Sequence, residues 1–146
     1  MNKKNYIILF IISFFILNII ACYPEFGKTV IQTPDKYKHV FEAKEKPILK
    51  AIARVIKEKK IGSNVTINYK DNFVDSDYVT TGDWRTKASA YVRKIDWKES
   101  EVILAVTTEK RTENGWEMRR LLEQRQYENF FNLIDIRVYE EMSNID

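Results

Sequence analysis

The sequence predicts an α+β fold of order β-α-β-β-β-β-α, an antiparallel sheet with two helices on one face. Three observations carry this expectation. Two segments, Lys46 to Gly62 and Gln124 to Ser143, repeat their apolar residues at the 3.6-residue period of a helix. The stretch between them is rich in β-branched and aromatic residues and is broken by polar turns of hairpin length. The 146 residues less the first 21 leave 125, enough for one domain. Helices gathered on one face of such a sheet form a two-layer sandwich.

The chain opens "MNKKNYIILFIISFFILNIIAC". Lys3 and Lys4 form a positive start, Tyr6 to Ile20 a run of 15 mostly apolar residues, and Ala21 a small residue before Cys22. That is the three-part pattern of a secretory signal. As a helix the run spans about 22 Å, short of the roughly 30 Å hydrocarbon core that a permanent span must cross. Ile19-Ile20-Ala21-Cys22 resembles the lipobox of bacterial lipoproteins: branched aliphatic, small or aliphatic, Gly/Ala/Ser, then Cys. The resemblance implies cleavage between Ala21 and Cys22. It also implies a diacylglycerol on the Cys22 thiol and an acyl chain, of the palmitate type, on the freed amino group. Two or more chains hold a protein firmly on its membrane, where one does not. Cys22 is the sole cysteine, so no disulfide can form within the chain.

Beyond the leader the charge is nearly balanced. Lys3 and Lys4 are its only charges, so 22 of the 24 bases remain against 21 acids, a net +1. A general nucleic-acid binder needs a basic footprint that this lacks. Four glycines, three prolines and abundant aromatics exclude a disordered chain.

The elements follow in order. Tyr23 to Lys36 holds two of the three prolines and reads as a tether; from Cys22 it reaches at most about 50 Å. The expected organisation is a signal over 1–21, a lipidated N-terminus and tether over 22–37, and a single α+β domain over 38–146. Lys38 to Lys44 is a candidate edge strand. In the first helix Pro47 suits the opening turn, the lysines suit the C-terminal dipole and Gly62 suits the stop. Its core stripe is Ile48, Ala51, Ile52, Val55 and Ile56, and Lys46, Lys50, Arg54, Lys57 and Lys60 form the opposite stripe. "NVTINYK" alternates as a half-buried strand, "DNFVDSD" reads as a polar loop, and "DYVTT" is a short strand. Two longer strands follow, "TKASAYVRKIDW" and "SEVILAVTTEK". After Asn114-Gly115, a turn signal, Trp116 to Leu121 folds back or runs on. The last helix has its core stripe at Tyr127, Phe131, Ile134, Val138 and Met142. Leu133, Ile136 and Tyr139 lie off that stripe and are expected to point to water, a ridge that docks into a partner's groove unless Trp116 to Leu121 folds over it.

The element order, together with "GDWRTKASAYVRKI…SEVILAVTTEKRTENGW", resembles the domains of BamC-like outer-membrane-assembly lipoproteins, whose fold is related to the TATA-binding-protein and helix-grip group. It implies a scaffold or assembly role, although a shared fold does not by itself carry a shared function.

Enzyme chemistry finds little to stand on. His39 is the only histidine, and with Cys22 lipidated no Cys–His pair or His/Cys metal cluster can be assembled. The metalloprotease, nucleophile-elbow and phosphate-loop motifs are missing. Asp71, Asp75, Asp77 and Asp83 are oxygen ligands of the kind calcium prefers, but their spacing is not that of a calcium loop. Asn64 fits a glycosylation pattern inside an expected strand. No metal and no cofactor beyond the covalent lipid is expected. Charge is segregated instead: Lys36 to Lys60 carries nine bases against three acids, and Glu123 to Asp146 six acids against two bases. A solvated pair of helix backs is the plain interpretation; a basic face on anionic headgroups is the sharper one.

The expected protein is therefore a non-enzymatic interaction or scaffold module of the cell envelope, lipid-anchored at the outer membrane and facing the periplasm or the cell surface. Its partners would be the membrane, through the anchor, and an envelope protein. The alternative is a lipid-anchored small-ligand or lipid carrier, with a pocket between sheet and C-terminal helix lined by Trp84, Trp97 and Trp116.

Overall fold

The computed structural model describes residues 27–143; the expected signal, with Ala21, and the expected lipidation site Cys22 lie outside the described residues. The elements are β1 (Lys36–Phe41), α1 (Glu45–Lys59), β2 (Ser63–Asn68), β3 (Phe73–Asp77), β4 (Val79–Thr81), β5 (Trp84–Lys94), β6 (Ser100–Thr112), β7 (Gly115–Met118) and α2 (Gln124–Ser143). The α+β class is as the sequence predicts, with two strands added to the expected order.

The strands form one antiparallel sheet in the order β1-β6-β5-β3-β2. Its spine is the β5–β6 hairpin, paired from Trp84↔Lys110 to Lys94↔Ser100. β4 continues along β5 past β3, and β7 continues along β6 past β1. Side chains alternate across a strand, and here the alternation is steep. Ala88, Ala90 and Val92 oppose Val106, Leu104 and Val102 and are buried. The intervening Arg85, Lys87, Ser89, Tyr91 and Arg93 face the other way, opposite Glu109, Thr107, Ala105, Ile103 and Glu101. A sheet so divided can be covered on one side only. α1 covers it over β2, β3 and β5, and α2 lies beside α1 and over β1. The stripe Ile48, Ala51, Ile52, Val55 and Ile56 is buried, as are Tyr127, Phe131, Ile134 and Val138. Met142, the last member of the second stripe, is exposed instead, because α2 outruns the core there.

Three local expectations give way. "DNFVDSD" contains β3, not a loop: Val74 and Ser76 point inward while Phe73, Asp75 and Asp77 occupy the alternate positions. Ser76 is a polar residue that a strand can bury because its Oγ donates to Ala88 O at 2.9 Å and accepts from Ala88 N at 3.0 Å. Secondly, α1 ends at Lys60, which takes the left-handed conformation (φ 54°). Gly62 serves another purpose, since a Cβ there would stand 2.0 Å from Ser76 Oγ. Thirdly, the expected tether is largely docked. Ile31 N donates to Met118 O and Arg120 N to Thr29 O. Arg119 Nη1 donates to Lys28 O at 2.9 Å, and Arg120 pairs with Asp35 at 2.6 Å. Gly27, at φ +73°, lies where a Cβ would meet the Trp84 ring at 2.7 Å. The folded unit thus begins by Gly27 rather than at residue 38.

Between β1 and β7 the edge of β6 has no strand beside it, and Tyr127 fills the gap. Val106 N donates to Tyr127 Oη at 3.1 Å, and the Tyr127 ring stacks on Tyr37 with centroids 4.1 Å apart. Burial is the main cause that pushes the Tyr127 hydroxyl up to about 12.

Ile52→Ala and Ile134→Ala should each cost about 2–5 kcal/mol in denaturant unfolding, the cost of truncating a buried aliphatic side chain. Tyr127→Phe should cost about 1–3 kcal/mol, since it leaves the Val106 N–H without its acceptor. A hydroxyl raised from 10.0 to about 12 contributes stability in full below pH 10 and loses it as pH rises towards 12. Between pH 8 and pH 11 the unfolding midpoint should therefore fall further in the native chain than in Tyr127→Phe.

Candidate functional site

The basic stripe of α1 and the acidic side of α2 meet each other. Arg54 Nη1 reaches Glu140 at 2.8 Å, Lys50 reaches Glu141 at 3.6 Å, and Arg137 reaches Glu58 at 3.1 Å. Arg54 and Glu58 also pair within α1 at 2.9 Å. Desolvation is the largest single influence on Glu58 and works upward, but the hydrogen bonds and charges of Arg54 and Arg137 together prevail and hold it below the usual carboxylate range. Of the five basic residues proposed for a membrane surface, Lys50 and Arg54 are therefore engaged with α2. Lys46 borders a groove with Tyr69 and Asn72 at the β2–β3 turn. Lys57 and Lys60 border another with Val79 at the opposite end of α1.

The expected ridge does not form as one surface. A helix turns by about 100° per residue, so three residues spaced three apart sweep some 120° around its axis. Leu133 turns back and packs half-buried against the core, which corrects its expected exposure. Ile136 stands at the crown of the helix, 54 % exposed, and Tyr139 lies on the β1 side, 66 % exposed. Trp116 to Leu121 does not fold over them, because Trp116 to Met118 belong to β7 and pair with β6.

On the β1 side a surface groove of about 260 Å³ runs between residues 39–42 and Asp135, Val138, Tyr139 and Met142 of α2. It adjoins a second, of about 580 Å³, where Met142 faces Pro47, Ala43 and Trp97. Trp97 sits in the β5–β6 turn and is 72 % exposed. That turn is held by Asp96, whose carboxylate accepts from the backbone of Lys98 at 2.7 Å and Glu99 at 2.8 Å and is lowered by those bonds. β1 is an edge strand, so one row of its backbone groups faces this groove without a strand partner among the described residues.

The uncovered face of the sheet carries a polar cluster that the sequence did not suggest. The Arg85 guanidinium lies between the Tyr78 and Trp116 rings, 4.3 and 4.4 Å from their centroids. Glu109 accepts from Arg85 Nε at 2.5 Å and from Tyr78 O–H at 2.8 Å. Burial first, and then Glu109, push the Tyr78 hydroxyl up to about 12. The only sequence signal for it is the polar register of β5 at Arg85, Lys87 and Ser89. The arrangement ties β5, β6 and β7 to one another and to Tyr78 at the β3–β4 junction.

The other candidate groups lie apart. His39 stacks on Phe131 at 5.0 Å beside the α2 groove. Asp71 accepts from Asn68 in the β2–β3 turn and Asp77 accepts from Asn64. Asp75 is paired opposite Ser89, and the Asp83 carbonyl accepts from Arg111 N. No group of three or more His, Cys, Asp or Glu side chains that could hold a metal occurs among the described residues. Asn64 is the bulged residue of β2, at φ 46°. Trp84 and Trp116 stand at one end of the sheet on opposite faces, and Trp97 at the far end. Between sheet and α2 the Tyr37–Tyr127 and His39–Phe131 ring pairs stack, with His39 exposed at the rim of the groove. No helix among the described residues is long and apolar enough to cross a membrane.

Compared with known protein families and with curated proteins, the chain matches none.

Glu109→Gln should leave Arg85 between its two rings but remove the carboxylate that disfavours the Tyr78 phenolate. Tyr78 should then ionise at lower pH, read as the difference in phenolate absorbance against the same variant carrying Tyr78→Phe.

Proposed function

We propose that this chain is a lipid-anchored lipoprotein of the cell envelope whose domain is a non-enzymatic module that captures an extended segment of another envelope protein, as a scaffold in outer-membrane assembly would. The observation that carries this is the edge strand β1 beside a groove rimmed by Tyr139, Met142 and Trp97. An extended peptide adds to such an edge by main-chain hydrogen bonds and takes its specificity from alternate side chains. Here the two faces ask for different residues. Positions turned towards α2 meet Tyr139 and Met142 and favour apolar side chains. Positions turned to the open face lie beside Lys36 and Lys38 and favour acids. A second copy of β1 fits poorly, because its own lysines would stand against these, and like charges directly opposite are destabilising.

The anchor part is supported by the order of positive start, short apolar run, small residue and sole cysteine in residues 1–22.

Cys22→Ser should abolish fatty-acid labelling and detergent-phase partitioning; a variant that keeps both would refute the lipid anchor. Tyr139→Asp with Met142→Asp should leave stability within about 0.5 kcal/mol, as for exposed positions, and remove the crosslinks formed in cells by a photoreactive residue at position 40. Unchanged crosslinks in the folded variant would place the partner elsewhere.

A further inference from the structure

Docking of residues 27–35 changes how the domain can stand on a membrane. Gly27 packs against Trp84 and Leu121, at the end of the sheet where β5 begins, β6 ends and the β6–β7 turn lies. From Cys22 to Gly27 there are five Cα steps, a reach of at most about 18 Å at 3.3–3.6 Å per residue. β6, with 13 residues, is about 43 Å long at 3.3 Å per residue. A tether much shorter than the long dimension of the sheet cannot let the domain present either end at will.

The end nearest the tether is also suited to headgroups. Lys110 lies over the Trp84 ring at 5.6 Å and Arg111 over the Trp116 ring at 5.1 Å. Lys57 and Lys60 reach the same end beside β4. None of these four forms an ion pair among the described residues; the acid directly opposite Lys110 is Glu117, which is bonded to Arg119, and Asp77, Asp83 and Glu113 are exposed. Tryptophan with a neighbouring cation is the pairing that sits at the level of lipid headgroups.

We infer that the domain stands on this end, with the β6–β7 turn, Trp116, Lys110 and Arg111 against an anionic phospholipid surface, and holds the β5–β6 turn with Trp97 and the Met142 end of the groove away from the bilayer. The inference rests on the lipid anchor proposed above. It replaces a membrane contact along the whole basic stripe of α1, because Lys46 and Lys50 belong to the far end.

The test uses the full chain, acylated in cells, purified and reconstituted into vesicles of phosphatidylethanolamine and phosphatidylglycerol with an energy acceptor on a minority of headgroups. Asn114→Cys and Trp97→Cys, both at exposed turn positions, each carry one thiol dye, the Cys22 thiol being consumed by its lipid. Energy transfer should be several-fold greater from position 114 than from position 97. Adding Lys110→Glu and Arg111→Glu should reduce that preference in anionic vesicles to the level found with neutral lipid. Equal transfer from the two positions in an acylated protein overturns the orientation and leaves the anchor standing. An intact mass without diacylglycerol overturns both, and a preference indifferent to lipid charge overturns the anionic contact.

Discussion

The fold depends on how one strand, β6, is satisfied along the edge that faces away from β5. β1 pairs with its first half and β7 with its last residues, and neither reaches Val106. A buried N–H left there would cost on the order of 1–3 kcal/mol. Tyr127 supplies the acceptor, and in doing so ties α2 to the sheet at the point where the two partner strands part. Its ring on Tyr37 fixes β1 against the same helix. Four residues on, Phe131 takes up His39, and the β1–α2 groove opens only beyond these two ring pairs. The groove is thus a consequence of where a single hydroxyl holds the helix.

The charge segregation of the sequence is resolved by the same placement. α1 and α2 run side by side in opposite directions, so the basic stripe of one and the acidic residues of the other form a ladder from Lys50–Glu141 to Glu58–Arg137. Exposed pairs of this kind contribute about 0–1 kcal/mol each, so the ladder serves helix register more than stability. The cations of the stripe left without a partner in α2 are Lys46 at one end of α1 and Lys57 and Lys60 at the other.

Both helices were legible in the sequence because the 3.6-residue stripe is a one-dimensional signal, and the bounds of α2 follow it closely. The two long strands were legible from their alternation. β3 was hidden because its outward positions carry aspartates: Asp75 and Asp77 look like a solvated loop until β2 and β5 close on either side. The docked strap was hidden for a different reason. Pro, Gly and Thr compose it as they would a linker, and its partners Arg119 and Arg120 lie some ninety residues away. Of the partner-contact candidates, Ile136 and Tyr139 are accessible as expected, whereas Leu133 is not, because spacing three drifts around a helix and carries it towards α1. The groove itself needed the topology, since only the strand order makes β1 an edge.

A segment that merely links an anchor to a domain has no need to be ordered, and ordering costs about 1–2 kcal/mol of backbone entropy per residue. The strap bears that cost over residues 27–35 with specific means. Gly27 is a position where any side chain would strike Trp84. Arg119 spends its guanidinium on two strap carbonyls and on Glu117. Arg120 closes on Asp35 with two hydrogen bonds that raise its own pKa. These contacts lie outside the core cluster and meet it where the Tyr127 hydroxyl comes within 3.5 Å of the Asp35 carbonyl. Their mechanical effect is to fix Gly27 and the residues after it against the sheet, beside Trp84 and Leu121. On the proposed reading of a lipid-anchored interaction module, such a fixed base is an advantage, because an edge strand held at a constant height and angle meets an incoming extended segment with less orientational freedom to lose on binding.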